Sequence, residues 1–120
     1  MTDPLVTFAL SFPEAWEDHP WGETVIKVKA KIFLFFRTGD DGTTLSVKLP
    51  SSMLDALALP FCQPTGYGLG RSGWVTARLP PGDRPDDLLR AWIDESWRAV
   101  APKTLVKAHA GPPRTPPSAQ

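Results

Sequence analysis

The sequence predicts an α+β fold, an antiparallel sheet of about five strands with helices packed mainly on one face. Three observations carry this expectation. Residues 24–37, 44–49 and 74–79 are rich in β-branched and aromatic side chains, and much of their length alternates polar with apolar. Apolar residues at helical spacing precede the first of these segments, separate the second from the third and follow the third. The resulting order is helix, three-strand meander, helix, one or two strands, helix, and no internal repeat interrupts it.

A first short helix is capped by Thr2 or Asp3, has Pro4 in its first turn, and places Leu5, Phe8 and Phe12 on one side before Pro13 closes it. Residues 14–21 lead into the sheet as a loop that closes with Pro20-Trp21-Gly22. Residues 24–29 read as a strand with Ile26 and Val28 on one face and Val25, Lys27 and Lys29 on the other. The next strand, 31–37, places Ile32, Leu34 and Phe36 on one face. Phe33 and Phe35 make its opposite face apolar as well, the mark of a central strand covered on both sides. Gly39-Asp40-Asp41-Gly42 turns the chain. Strand 44–49 then alternates Leu45, Val47 and Leu49 with Ser46 and Lys48.

Pro50-Ser51-Ser52 starts a second short helix, with Ser52 and Asp55 forming a weakened capping box and Met53, Leu54 and Leu57 facing the sheet. After a glycine-rich segment, 61–73, strand 74–79 sets Val75, Ala77 and Leu79 against Trp74, Thr76 and Arg78. Asp83 caps the longest helix, about residues 84–101, whose buried stripe is Leu89, Trp92, Ile93, Ser96 and Val100. The expected organisation is one domain over residues 1–107 and a proline-rich disordered tail over 108–120.

Composition narrows the function classes. The 120 residues are 42% apolar and 22% charged, which suits a single core. No apolar run is long enough to span a membrane and the N-terminus lacks a signal-peptide pattern, so a cytoplasmic location without membrane association is expected. Cys62, the sole cysteine, excludes an internal disulfide. Thirteen basic side chains balance thirteen acidic ones. Beneath that balance, residues 1–23 carry five acids and no Lys or Arg, whereas residues 24–37 carry Lys27, Lys29, Lys31 and Arg37 and no acid. Any polyanion must therefore be held by a local patch.

No catalytic signature is present, and a non-enzymatic protein without cofactor or metal is expected. Gly68-Leu69-Gly70-Arg71-Ser72-Gly73 matches the dinucleotide-loop pattern, but a strand rather than a helix follows it, so it reads as a turn. His19 lies among Glu14, Glu17, Asp18 and Glu23, a grouping that reads as a solvated acidic stretch. Cys62 has no nearby histidine to act as its base.

The more informative constellation is a surface. With Ile26, Val28, Leu45, Val47, Val75 and Ala77 turned toward the helices, the opposite face displays Lys27, Lys29, Lys48, Trp74 and Arg78, with Tyr67 and Arg71 at its rim. Cations for phosphates beside aromatic rings for bases form a nucleic-acid platform, with DNA as the expected partner and Trp74 and Tyr67 as the stacking rings. The alternative is a protein-interaction module or homodimer that buries the Phe33/Phe35 face.

Several segments, in order, resemble the MmcQ/YjbR family of small bacterial proteins. They are Phe12-Pro13-Glu14-Ala15-Trp16-Glu17, Pro20-Trp21-Gly22-Glu23, Ile26-Lys27-Val28 through Lys31-Ile32-Phe33, and Ser46-Val47-Lys48-Leu49-Pro50. Gly68 to Val75 and Ile93-Asp94-Glu95-Ser96-Trp97 through Lys103 complete the set, which spans about residues 3–107. The resemblance implies a compact α+β domain like the secretion chaperones and DNA binding through a double-wing motif. Trp21, Gly22, Lys48, Arg71, Trp74 and Lys103 match its characteristic positions, with Lys48, Arg71 and Trp74 lining a cleft beside the 20–22 loop. Lys29-Ala30 departs from the glycine often found at that hairpin turn, and the neutral charge gives DNA binding less support than the family label does.

Overall fold

A computed structural model describes residues 3–66 and 68–109, with the Trp21 side chain left aside. It contains a six-stranded sheet in the order β1-β2-β3-β4-β6-β5, every neighbouring pair antiparallel. The strands are β1 (Ala15–Asp18), β2 (Thr24–Val28), β3 (Lys31–Gly39), β4 (Gly42–Lys48), β5 (Cys62–Pro64) and β6 (Trp74–Leu79). Helices α1 (Pro4–Leu10) and α3 (Asp86–Val100) pack on each other and on one face of the sheet, while α2 (Met53–Leu57) sits against β5 and β6. A last short helix, α4 (Lys103–Ala108), packs Leu105 and Val106 against the same core.

The expected α+β architecture with helices on one side is the one observed, with one more strand than expected. That strand is β1, within the segment read as a loop. Its four residues are too few to display an alternating pattern, yet Ala15 turns into the core and Trp16 turns away. Helix α4 offered no apolar stripe of its own. Residues 108 and 109, expected to begin the tail, instead end α4 and place the His109 ring 5.4 Å from Phe12 and 5.1 Å from Trp97. The remainder of the expected tail, 110–120, lies outside the described residues.

The helix boundaries have local causes. Asp3 caps α1, its Oδ1 accepting the Leu5 N–H at 2.9 Å. The predicted Ser52–Asp55 capping box does not form. Instead the Glu95 carboxylate, reaching across from α3, accepts the Ser51 and Ser52 N–H groups at 2.8 and 3.0 Å and the Ser52 hydroxyl at 2.6 Å. In α2, Ala56 rather than Leu54 faces inward, and Leu54 is 84% exposed. Met53, Ala56 and Leu57 share a side at helical spacing, and Leu54 is one step off it. Asp83 is exposed and Pro85 occupies the position before α3. The α3 stripe is Leu89, Trp92, Ile93, Ser96 and Trp97, with Val100 half-buried.

Strand β3 departs most from simple alternation. The β2–β3 register shifts between Ile26 and Lys27, pairing Ile26 with Leu34 but Lys27 with Ile32, and so leaves Phe33 as the extra residue of a bulge. Phe33 is thereby drawn into the core together with Leu34 and Phe36 and is 0% exposed, while Ile32 moves to the register row of Lys27. The expected phase of Ile32 and Phe33 is thus reversed, and Phe35 alone of the pair Phe33/Phe35 remains on the helix-free side. The Ser96 hydroxyl stands at this irregularity, donating to the Phe33 carbonyl at 2.5 Å and accepting the Lys48 N–H at 2.9 Å.

At the next hairpin Gly39 pairs with Gly42 around Asp40-Asp41. Gly42 has φ +114°, and a Cβ there would lie 2.0 Å from the Leu79 carbonyl oxygen, so no other residue fits. Beside this turn Arg84 ties three elements together. Its guanidinium donates to both Asp3 oxygens at 2.9 Å, to Thr43 Oγ1 at 3.1 Å and to Asp86 at 2.6 and 3.1 Å.

Ser96→Ala strands two backbone groups away from water and should cost about 2–4 kcal/mol in urea denaturation. Burial pushes the Asp3 carboxyl up, but hydrogen bonds from Arg84 and the Leu5 N–H outweigh this and hold it below the usual carboxylate range. A depressed folded pKa stabilises above the unfolded value near 3.8, and that contribution is lost as the pH falls through the folded pKa. Asp3→Asn should therefore be about 1–2 kcal/mol less stable than wild type at pH 7, the gap closing on acidification below about pH 4.

Candidate functional site

The described helices leave one face of the sheet bare. Strand pleating assigns to it Trp16 and Asp18 from β1, Val25 and Lys27 from β2, Phe35 and Arg37 from β3, Thr44, Ser46 and Lys48 from β4, and Trp74, Thr76 and Arg78 from β6. Phe35, Arg37, Thr44, Ser46, Thr76 and Arg78 line one side of a concavity to which the acidic Asp3, Glu17 and Glu23 also contribute. The 3-10 turn Leu69–Ser72 rims it, with Leu69 beside Thr65 and Thr76. Gly68 and Gly73 bracket that turn in left-handed conformations and β6 follows, so the glycine-rich pattern is a turn before a strand, as expected.

The centre of the face is well satisfied. The Ser46 and Thr76 hydroxyls lie 2.8 Å apart and Thr76 and Thr65 2.9 Å apart, forming a chain of three across β4 and β6 to the end of β5. Phe35 and Trp74 meet edge to face at 5.5 Å. Trp74 is thus on the expected face but only 8% exposed, so it cannot present a ring to a base. Its burial comes from Phe35, which the bulge leaves as the large apolar neighbour on this side. Tyr67, the other expected stacking residue, lies outside the described residues.

The cations divide into two sets. Lys27 is on the expected face, but its ammonium lies 2.8 Å from Asp18 Oδ2 and 5.0 Å from the centre of the Trp16 ring. The Lys27 hydrogen bond and the His19 N–H hold the Asp18 carboxyl below its ordinary range. Lys27 is therefore neutralised in place and drops out of the expected phosphate-binding set. Arg37, Lys48, Arg71 and Arg78 take part in none of the ion pairs among the described residues. Arg37 and Arg78 flank Thr44 in one register row, Arg37↔Thr44↔Arg78, about 10 Å apart across two strand spacings. Lys48, half-buried, pairs in register with Trp74 about 13 Å further along the same strands. Arg71 is exposed on the 3-10 turn.

Lys29 is exposed at the β2–β3 hairpin tip rather than on the sheet, in a left-handed conformation with φ +53°. Its N–H donates to the Glu14 carbonyl at 3.3 Å, and its own carbonyl accepts the Trp16 Nε1–H at 2.7 Å. These two bonds hold a lysine where glycine is more at ease. The residues Trp21 and Gly22 form the 3-10 turn Pro20–Gly22 before β2. That turn leads into Thr24, in the Phe36–Leu45 row, about 10 Å along the strands from Lys48 and Trp74. Gly22 lines the concavity together with Leu69, whereas Lys48, Arg71 and Trp74 are not among its lining residues. Lys103 opens α4 on the helix side, remote from the open face.

Arg37 is the cation that sequence reasoning left out of the surface. The signal was present, since it stands two residues beyond Phe35 and shares its face. Trp16 was missed because its strand is so short. It is 43% exposed, the one described tryptophan that is not buried.

Chemically reactive groups are sparse. Burial pushes the Cys62 thiol up to about 11, so it stays protonated at neutral pH. Glu17 and His19 form a pair at 2.8 Å, and among the described residues no group of three or more potential ligands is placed to hold a metal ion. Among the same residues no helix is long and apolar enough to cross a membrane.

Comparison with known proteins agrees with this architecture. A protein from Deinococcus radiodurans with a DUF419 domain has a crystal structure that superposes with a TM-score of 0.69 at 28% identity, covering 87% of this chain and 80% of that one. The crystal structure of a Pseudomonas syringae protein superposes with a TM-score of 0.59 at 16% identity, covering 82% of this chain and 99% of that one, a likeness of fold. No curated protein matches the sequence. The YjbR family model matches residues 10–99, from the end of α1 to the last turn of α3. The chain is therefore a member of the YjbR family.

Proposed function

We propose that this protein is a non-enzymatic, cytoplasmic DNA-binding protein that holds the nucleic-acid backbone on its bare sheet face. The observation that carries the reading is the row Arg37–Thr44–Arg78, two guanidinium side chains without carboxylate partners among the described residues on either side of a hydroxyl, on the face that no described helix covers. Guanidinium forks match phosphate oxygens bidentately, and hydroxyls such as Thr44 add neutral donors to the same groups. Lys48 and Arg71 extend the cationic surface beyond that row. Phosphate contacts carry affinity without sequence preference, so binding of this type is backbone-directed.

The zero net charge of the chain sets the strength. Long-range attraction to a polyanion is weak, and affinity comes from local counterion release. The protonated Cys62 thiol and the satisfied hydroxyl chain support a binding rather than a catalytic role. Of the alternative surface, a protein-interaction module or homodimer over Phe33 and Phe35, Phe33 lies wholly inside the core, and Phe35, half-buried against Trp74, is the part that faces the bare side.

Four phosphate contacts predict a log–log salt slope near −3.6 on duplex DNA, at about −0.9 per contact. In anisotropy titrations Arg37→Glu combined with Arg78→Glu should reduce that slope by about 2 and weaken binding at least about tenfold at low salt. Lys31→Glu, in register with the inward-facing Val28, should leave both unchanged. Salt-insensitive binding, or none, would remove the reading.

A further inference from the structure

We infer that the bare face prefers single-stranded to duplex nucleic acid, with Trp16 as the platform on which one unpaired base stacks. The inference rests on the nucleic-acid reading above and adds to it the strand form and the stacking residue.

The described tryptophans are sharply unequal. Trp74, Trp92 and Trp97 are 8, 2 and 0% exposed, whereas Trp16 is 43% exposed on the same side of the sheet as Arg37, Lys48 and Arg78. An exposed indole on an edge strand is ordinarily free to change rotamer. This one is fixed, because its Nε1–H donates to the Lys29 carbonyl at 2.7 Å. A ring already held in place loses little side-chain entropy when a ligand lands on it, which makes it a better platform than a mobile one. The Lys27 ammonium lies over one face of the ring, 5.0 Å from its centre, so a base would stack on the opposite face, and its pairing with Asp18 offsets the carboxylate that would repel a phosphate there.

Position supplies the rest. Trp16 pairs with Lys27 at the β1 edge, and Lys48 lies three strand spacings away, about 14 Å across the sheet. A strand crossing the face meets the ring at the edge and the cations of β4 and β6 toward the middle. Every base has a π-face to stack, so such contacts tolerate sequence, but only an unpaired base can turn that face outward to a protein ring. A duplex can use the cations and not the indole.

Anisotropy titrations of the intact protein with an oligo-dT strand and a blunt duplex, each of about 20 nucleotides per strand, test this at matched salt. Wild type should bind the single strand about tenfold or more tightly than the duplex. Trp16→Leu should cost the single strand about 10- to 100-fold and leave the duplex unchanged. Ultraviolet cross-linking of a bromodeoxyuridine-substituted single strand to the wild-type protein should place the adduct on Trp16, independently of how the variant folds. A cross-link elsewhere with the Trp16 peptide unmodified, or equal affinity for both forms, overturns the inference while salt-sensitive duplex binding leaves the nucleic-acid reading standing. Binding to neither form overturns both.

Discussion

The arrangement of both faces depends on one hydroxyl. Ser96, 0% exposed on α3, donates to the Phe33 carbonyl and accepts from the Lys48 N–H. It thereby serves two backbone groups at the edge of the bulge, where regular pairing between β3 and β4 stops at Leu34 and Val47. Buried backbone groups without partners are costly, so a bulge beneath a helix needs such a substitute. With it, Phe33 can turn inward beside Leu34, and the core gains a large aromatic side chain next to Phe12. Beyond the bulge, Phe35 and Arg37 face outward on a strand whose inner face is already filled. The placement of Arg37 beside Thr44 is thus tied to a polar contact made from the other side of the sheet.

The charge pattern along the chain acquires a spatial meaning through strand order. The acid-rich first 23 residues and the base-rich next fourteen come together as antiparallel neighbours, β1 against β2. Opposite charges that follow one another in sequence are brought side by side, and Asp18 takes Lys27. Among the described residues, the cations of the bare face outside these ion pairs, Arg37, Lys48 and Arg78, lie on β3, β4 and β6. Local neutralisation at one margin and free cations toward the middle coexist in a chain whose totals cancel.

Much of the fold was legible from residue patterns, and the misses share a cause. Strand β6 has the predicted bounds, and its inward Val75, Ala77 and Leu79 are all buried, because it alternates over six residues between clear breakers. The helix side and the outward phase of Lys27, Lys48 and Arg78 in the pleat followed from the same arithmetic. The run Ile32-Phe33-Leu34-Phe35-Phe36 carries no phase at all, so neither the bulge nor the inward turn of Phe33 is written in it. Strand β1 and helix α4 are too short to show a period. The bare face was therefore located by pattern, but which of its side chains stay accessible depends on contacts no pattern encodes: Lys27 to Asp18, Trp74 to Phe35 and Trp16 to Lys29.

A sheet left bare on one side is open to joining the sheet of a neighbouring molecule, backbone to backbone, at its outermost strands. Here one outer strand has four residues, two of them acidic, and the other has three and ends in Pro64, which has no N–H to offer. Both borders are thus poor templates for fibrous growth, and the molecule can keep an uncovered face at high concentration without stitching itself into extended aggregates.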